Sequence, residues 1–538
     1  MVVTAHPEAS KIGLEILRKG GHAVDAAVAV QFALAVSFPY AGNIGGGGFM
    51  LIHDADSDTQ YSIDYRERAP IGASRDMYLD ENGDVDSNRS RYSHLSSGVP
   101  GTVRGFWLAH QKGGRLPWKR LLQPAIEQAR NGIVVSFDLS TMLKLRHEYL
   151  CRTEAACQYF YKEGGVPYEP GELLVQSDLA NSLELIAELG PDAFYKGPIA
   201  KLITAEMQRG GGLVDKASLE NYEPAIRGVV RGNYRGHEVV TMPPPSSGGI
   251  HVVQMLNILE HFDVAEMGVG SADSVHLLAE AMRLAYADRS KHLGDPDFWE
   301  VPSAWLTSKD YGRELAASIS MELARDSEEV APGVAPAHES EDTTHYSVID
   351  ADGNVVSNTY TLNFSYGSGI AVEGAGFLLN NEMDDFSSKP GVPNAFGLLG
   401  GEANAIEAGK RPLSSMTPTI VFAEDGEPWF ATGSPGGSRI ITSVLQVIVN
   451  SIDHDMNLAM AGASPRIHHQ WFPDVLLMEQ GFSPDTVDLL EERGHNIEQR
   501  AAMGSIQSVG IRDGVFRGAS DTRRPNAGSA TPRPGVQQ

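Results

Sequence analysis

TTHYSVI (residues 343–349) and NVVSNTYTL (residues 354–362) flank Asp350-Ala351-Asp352-Gly353, and this stretch decides how the chain is read. Both runs are rich in β-branched and aromatic residues and the link is polar with a glycine, so the segment reads as a β-hairpin. A turn centred on Asp352 sets Thr361 opposite Thr343. Directly opposed residues place their side chains on one face about 5 Å apart, which brings Thr361 within reach of the Thr343 hydroxyl. Asn363, two residues on, points the same way. A cross-strand Thr-Thr pair that only favours β-structure accounts for the same residues.

The segment before the hairpin differs from its surroundings. Residues 325–342 (RDSEEVAPGVAPAHESED) are rich in Ala, Pro and acidic residues and lack aromatics, so they read as a flexible linker. A threonine hydroxyl is a poor nucleophile at neutral pH unless a base stands beside it. Cutting between Asp342 and Thr343 would make the threonine N-terminal, and its own α-amine, with a pKa near 8, would serve. Acyl transfer also needs an oxyanion site. Ser434-Pro435-Gly436-Gly437-Ser438 can expose consecutive backbone N–H groups there, although the same residues also suit a plain turn.

Further out, residues 8–19 read as a helix stopped by Gly20-Gly21. Ala23–Phe38 is the longest apolar run; it carries Asp25 and Gln31 and falls short of the ~20 residues of a membrane span, so it reads as a buried core helix. Phe49–Ile52 and Tyr61–Tyr65 read as paired strands. Helical spacing marks 118–131, 176–189, 192–208 and 272–288, and short strands are expected at 227–230, 238–241, 376–380, 418–423 and 428–432. The last seventeen residues read as disordered. Helices mixed with two β-rich blocks give a layered α/β architecture, with helices on largely antiparallel sheets.

The 538 residues exceed the ~250–300 at which single cores stop growing, so a large layered core or two lobes is expected. A net charge of -26 repels phosphate backbones and anionic lipid surfaces, which argues against nucleic acid and membrane as partners. No signal peptide is visible in MVVTAHPEAS. Cys151 and Cys157 either close a small disulfide loop or remain two free thiols. No zinc, dinucleotide, Walker or G-x-S-x-G signature occurs, and no metal or cofactor is expected.

Taken in order, GGHAVDAAVA (20–29), GNIGGGGFM (42–50), DYRERAP (64–70), SGVPGTVRG (97–105), MPPPSSGGIH (242–251), DTTHYSV (342–348), LLNNEMDDFSSKPGVPN (378–394), KRPLSSMTPTIV (410–421) and TGSPGGSRI (432–440) resemble the gamma-glutamyltranspeptidase family, from about residue 8 to about residue 522. The resemblance implies the N-terminal nucleophile hydrolase fold, a four-layered αββα sandwich. It implies a precursor that cuts itself into segments 1–342 and 343–538, which stay together as a heterodimer. Thr343 matches the nucleophile and Thr361 the threonine supporting it. Arg66 matches the arginine on the substrate α-carboxylate, with Ser414 and Ser415 beside it, and Asp385 matches the carboxylate on the α-amine. Glu382 and Asn363 match further contacts to the glutamyl end, and Gly436 and Gly437 match the oxyanion glycines. Glutathione and other gamma-glutamyl compounds are the implied donors, water and amino acids or peptides the acceptors, and the periplasm or the exterior the implied compartment.

There are departures from the family. Phe396 stands where some bacterial relatives have a tyrosine bonded to the residue matching Asn363, which predicts a looser lid and more hydrolysis relative to transfer. Asn363-Phe364-Ser365-Tyr366 replaces smaller residues. Retention of SSKPGVPN argues against the related cephalosporin acylases. Two rivals remain open: an acylase for glutaryl-type amides on the same scaffold, and a binding protein without turnover.

Overall fold

The structure is a computed structural model that describes residues 1–330, 343–389, 391–392, 394–395, 397–525 and 527–531. Two sheets lie face to face. The first runs Gly528–Ala530, Val2–Thr4, Thr344–Ile349, Val355–Thr361, Gly47–Asp54, Thr59–Asp64, Ala225–Arg227. The second runs Val515–Ser520, Gln507–Arg512, Pro428–Thr432, Thr419–Phe422, His237–Thr241, Val230–Tyr234. Neighbours pair antiparallel throughout both sheets.

The period-two alternation of strand side chains sorts the core into layers. Val3, Leu51, Ile349 and Val355 point inward and meet Val240, Ile420, Ala431 and Val509 of the other sheet. Their neighbours Met50, Ile52, Val348 and Val356 point outward, into a layer built around helices Ala23–Ser37, Trp118–Asn131 and Ser177–Leu189. On the far side, helices Gly248–Leu259, Ala272–His292 and Arg439–Ile452 cover the second sheet through Val239, Val421 and Phe430. The result is the expected αββα sandwich.

Every residue of helix Ala23–Ser37 is buried, and its polar members are satisfied rather than solvated. Asp25 accepts from the backbone N–H of His22 (2.9 Å) and of Arg115 (2.9 Å), and Gln31 Nε2 donates to Asn43 O (2.9 Å). A charge inside an apolar run is therefore a helix cap that also ties down a neighbouring loop. Cys151 and Cys157 form a disulfide. Among the described residues no helix is long and apolar enough to cross a membrane.

Several sequence expectations are corrected. The helix expected over 192–208 breaks into Asp192–Tyr195 and Pro198–Gly210, because Pro198 offers no N–H to continue the first and opens the second. Residues 376–380 are not a strand; a single bridge, Ala371–Leu378, closes a loop that contains the positive-φ glycines 374 and 376. Residues 227–230 straddle the break between the two sheets. Of the expected linker, 331–342 lie outside the described residues, while 325–330 are ordered further than their composition suggests. Ser327–Val330 is a helical turn held where Ser327 N donates to Asp474 Oδ2 (2.9 Å) and Trp471 Nε1 donates to Ser327 O (2.8 Å). Within the tail, Gly528–Ala530 is an edge strand on Val2–Thr4, while 532–538 lie outside the described residues.

Candidate active site

Thr343 leads directly into strand Thr344–Ile349 in the middle of the first sheet. Asp342, and with it the proposed cut, lies outside the described residues. The hairpin pairs Ile349 with Val355 and Thr344 with Tyr360. One more step of that register sets Thr361 against Thr343, as the turn centred on Asp352 predicts. Asp350 Oδ1 fixes the turn by accepting from the N–H groups of Asp352 and Asn354, both at 3.0 Å.

The glycine run 45–48 now has a reason. A Cβ at Gly46 would sit 2.1 Å from Thr361 O, and one at Gly48 2.5 Å from Thr359 O, so backbone passes against the Thr361 strand where no side chain fits. Asn43 fastens the contact: its Nδ2 donates to Thr361 O (3.0 Å) and its Oδ1 accepts from Gly46 N (3.0 Å). Thr361 Oγ1 accepts from Asn363 N at 2.7 Å. Asn363 itself adopts φ 77°, and its Nδ2 donates to Asn381 O at 3.0 Å. The neighbouring Asn380 knits three loops, donating to Gly45 O and Gly98 O (both 2.9 Å) and accepting from Glu382 N (3.1 Å).

Arg66 is fully buried just beyond strand Thr59–Asp64. One arm of its guanidinium donates to Glu382 Oε1, the other to Asp385 Oδ2, and Glu67 Oε2 stands 3.5 Å away. Burial opposes the Arg66 charge, but these carboxylates outweigh it and hold the group above its usual range. Burial also lifts all three acids against the pull of Arg66: Glu67 to about 7, and Glu382 well above the carboxylate range. Glu382 Oε2 and Asp385 Oδ1 have no hydrogen-bond partner among the described residues. Two unmatched acceptor oxygens beside a pinned guanidinium suit a ligand carrying an ammonium.

Gly436 (φ 132°) and Gly437 (φ 55°) turn the chain into helix Arg439–Ile452. These are backbone conformations open to glycine, at a helix N-terminus where partial positive charge gathers, which suits a developing oxyanion.

A cavity of about 350 Å³ collects Thr343, Thr361, Asn363, Arg66, Glu382, Asp385, Ser414, Ser415 and Gly437 on its walls. Gly436 lines a second, larger cavity of about 670 Å³, which Thr343 also borders, together with Tyr40, Asp138 and Arg524. The structure therefore brings the sequence-selected residues to one place, with Thr343 on the seam between two spaces. Phe396 lies outside the described residues. Sequence reasoning missed Asn43, Asn380, Asn381, Ser247 and Arg289. The first four sit inside motifs already singled out, but their bonds run to other segments of the chain. Arg289 is a buried charged residue of helix Ala272–His292, as Glu280 and Arg283 are, and nothing in its local sequence marks it as a pocket residue. No group of three or more His, Cys, Asp or Glu placed to hold a metal occurs among the described residues.

Residues 9–531 match the gamma-glutamyltranspeptidase family. A glutathione hydrolase proenzyme of Escherichia coli (strain K12) is 54% identical over 525 residues, covering 97% of this chain and 90% of that protein. An acylase ACY 1 proenzyme of Pseudomonas sp. (strain SE83) is more distant, 41% identical over 97% of this chain and 91% of its own length. Among solved structures, a cephalosporin acylase from Bacillus halodurans superposes with a TM-score of 0.86 at 26% identity, over 99% of this chain and 96% of that one. A Helicobacter pylori gamma-glutamyltranspeptidase gives 0.60 at 43% identity, over 61% of this chain and 94% of its own. An αββα sandwich with a threonine opening a central strand is the fold of the N-terminal nucleophile hydrolases. Within that class, the chain belongs to the gamma-glutamyltranspeptidase family.

Proposed function

We propose that the chain is a self-processing gamma-glutamyltransferase and glutathione hydrolase. Cleavage after Asp342 frees the Thr343 amine. The Thr343 hydroxyl then attacks the γ-carbonyl of the donor while that amine takes its proton. The N–H groups of Gly436 and Gly437 hold the oxyanion, and Thr361 positions the hydroxyl. The amine product leaves, and water or an acceptor amine resolves the γ-glutamyl ester. Arg66 with Ser414 and Ser415 takes the α-carboxylate; Asp385 and Glu382 take the α-ammonium; Asn363 completes the glutamyl end.

One observation carries this reading: Thr343 borders both cavities, with the Arg66–Asp385 pair in the smaller. The glutamyl group fits the charged side, and leaving groups and acceptors fit the wider one. The unmatched oxygens of Asp385 and Glu382 favour a γ-glutamyl over a glutaryl donor, which brings no ammonium. The segments 1–342 and 343–538 contribute adjacent strands to the same sheet, so the cut pieces should remain one heterodimeric body. We place the protein in the periplasm or outside the cell, in keeping with the Cys151–Cys157 disulfide.

Intact-mass analysis tests the reading. Wild-type protein should give two species adding up to the 58.0 kDa chain plus one water, with threonine at the new N-terminus, and should hydrolyse γ-glutamyl-p-nitroanilide. Thr343→Ala should stay uncut and inactive. An uncut, inert wild-type chain would put the binding-protein alternative in its place.

A further inference from the structure

MPPPSSGGIH (242–251) is one of the family stretches, yet none of its residues enters the mechanism above. In the structure it clips the segment that carries Ser414 and Ser415. The Ser247 N–H and hydroxyl both donate to Ser414 O, each at 2.8 Å, Ser414 N donates to Pro245 O (2.9 Å), and Ser246 Oγ donates to Met416 O (2.6 Å). Ser247 Oγ has a second task, accepting from Arg289 Nε at 3.0 Å. Arg289 Nη2 reaches Ser415 Oγ at 3.3 Å.

Arg289 is 5% exposed and lines the same cavity as Arg66. The two guanidiniums differ in their company. Arg66 is matched by three carboxylates, whereas Arg289 makes no ion pair with any carboxylate among the described residues. Its bonds to Ser247 and Ser415 go to neutral hydroxyls and take two of the five guanidinium N–H groups. A buried cation with no carboxylate in contact is costly: burial pushes Arg289 down to about 10, and Asp385, whose charge reaches it, is already bonded to Arg66. Such a group persists where a ligand supplies the missing charge. Arg66 is a poor sole partner for an incoming carboxylate, because Glu382 and Asp385 already occupy both arms of its guanidinium.

We propose that Arg289, oriented by Ser247, is a specificity-determining residue of the donor pocket: it is the cation without a directly paired carboxylate, and it selects acyl donors carrying an α-carboxylate. The inference rests on the γ-glutamyl reading and deepens it. Arg289 and Ser415 form one edge against the carboxylate, and Ser247 is a positioning residue acting through Arg289. The alternative is a guanidinium that only staples Ser247 to Ser415.

Two donors separate these roles. γ-Glutamyl-p-nitroanilide and 4-aminobutyryl-p-nitroanilide share the acyl chain, the ammonium and the leaving group, and differ only in the α-carboxylate. The ratio of their kcat/KM values cancels any general loss of structure. Arg289→Gln should lower that ratio about tenfold or more, the size of one charge-assisted hydrogen bond, with most of the change in KM. Arg289→Lys should restore part of it. Ser247→Ala should lower the ratio about threefold in the same direction, and carries the test alone if Arg289→Gln fails to self-process. If both donors slow equally in the variants, Arg289 is only a staple and the inference is overturned, while the γ-glutamyl reading stands. If the wild-type protein hydrolyses neither donor, the γ-glutamyl reading itself fails, and the inference with it.

Discussion

Replacing Asp385 by asparagine isolates the group that, on this reading, tells a γ-glutamyl donor from a glutaryl one. Asp385 Oδ2 accepts from Arg66, and Oδ1 has no partner among the described residues. Asparagine keeps the shape. Arg66 can only donate, so the amide must turn its oxygen to Arg66 and its NH2 to the position of Oδ1. The donor's ammonium then meets another donor group instead of a carboxylate. The lost charge-assisted bond is worth about 1.5–3 kcal/mol, or roughly 10- to 150-fold in kcat/KM. A glutaryl donor has no ammonium and forfeits nothing at this position. The assay is paired kinetics of γ-glutamyl- and glutaryl-p-nitroanilide on wild type and Asp385→Asn, with self-cleavage checked by mass. The γ-glutamyl to glutaryl ratio should fall at least about tenfold. Equal losses on both donors, or a γ-glutamyl rate within a factor of about three of wild type, would show that Asp385 serves Arg66 and not the ammonium.

Two further outcomes follow from the fold. Burial pushes His251, His345, His468 and His495 each from 6.5 to about 3, so between those values the unfolded chain binds more protons than the folded one. Their contribution is fully present above pH 6.5 and is lost as pH falls; the urea midpoint at pH 5 should lie below that at pH 7, and His345→Gln should narrow the gap. Gly46→Ala drives a methyl into Thr361 O, 2.1 Å from the ideal Cβ position, so it should cost about 1–3 kcal/mol in urea unfolding and slow self-cleavage, with a wild-type rate counting against the close-approach argument.

The hairpin was legible because its information is local. Turn residues at 350–353 and the β-rich runs on either side fix the register, and the register fixes which threonine faces Thr343. Helices Trp118–Asn131 and Ser177–Leu189 were equally plain, since a 3.6-residue apolar stripe is written in the sequence. The errors fell where a local signal competes with a distant partner. Composition marked 325–342 and 522–538 as unstructured, but within the described parts of those segments Ser327 finds Asp474 and Trp471, and Gly528–Ala530 finds the edge at Val2–Thr4. Residues 376–380 have strand-like composition but no sheet edge to pair with.

The same division runs through the site. The sequence by itself determined the layered fold, the hairpin register at Thr343 and the glycine turn at 436–437, because periodicity, turn chemistry and glycine placement act over a few residues, while Arg66 and Asp385 were marked by their resemblance to family motifs. Tertiary structure alone decided the charge balance of the pocket. Arg66 and Arg289 are both arginines in sequence; one meets three carboxylates and the other meets two serines. Electrostatics in a buried site depends on which charges lie within a few ångströms, and apart from Glu67 those partners come from segments 42 to 319 residues away.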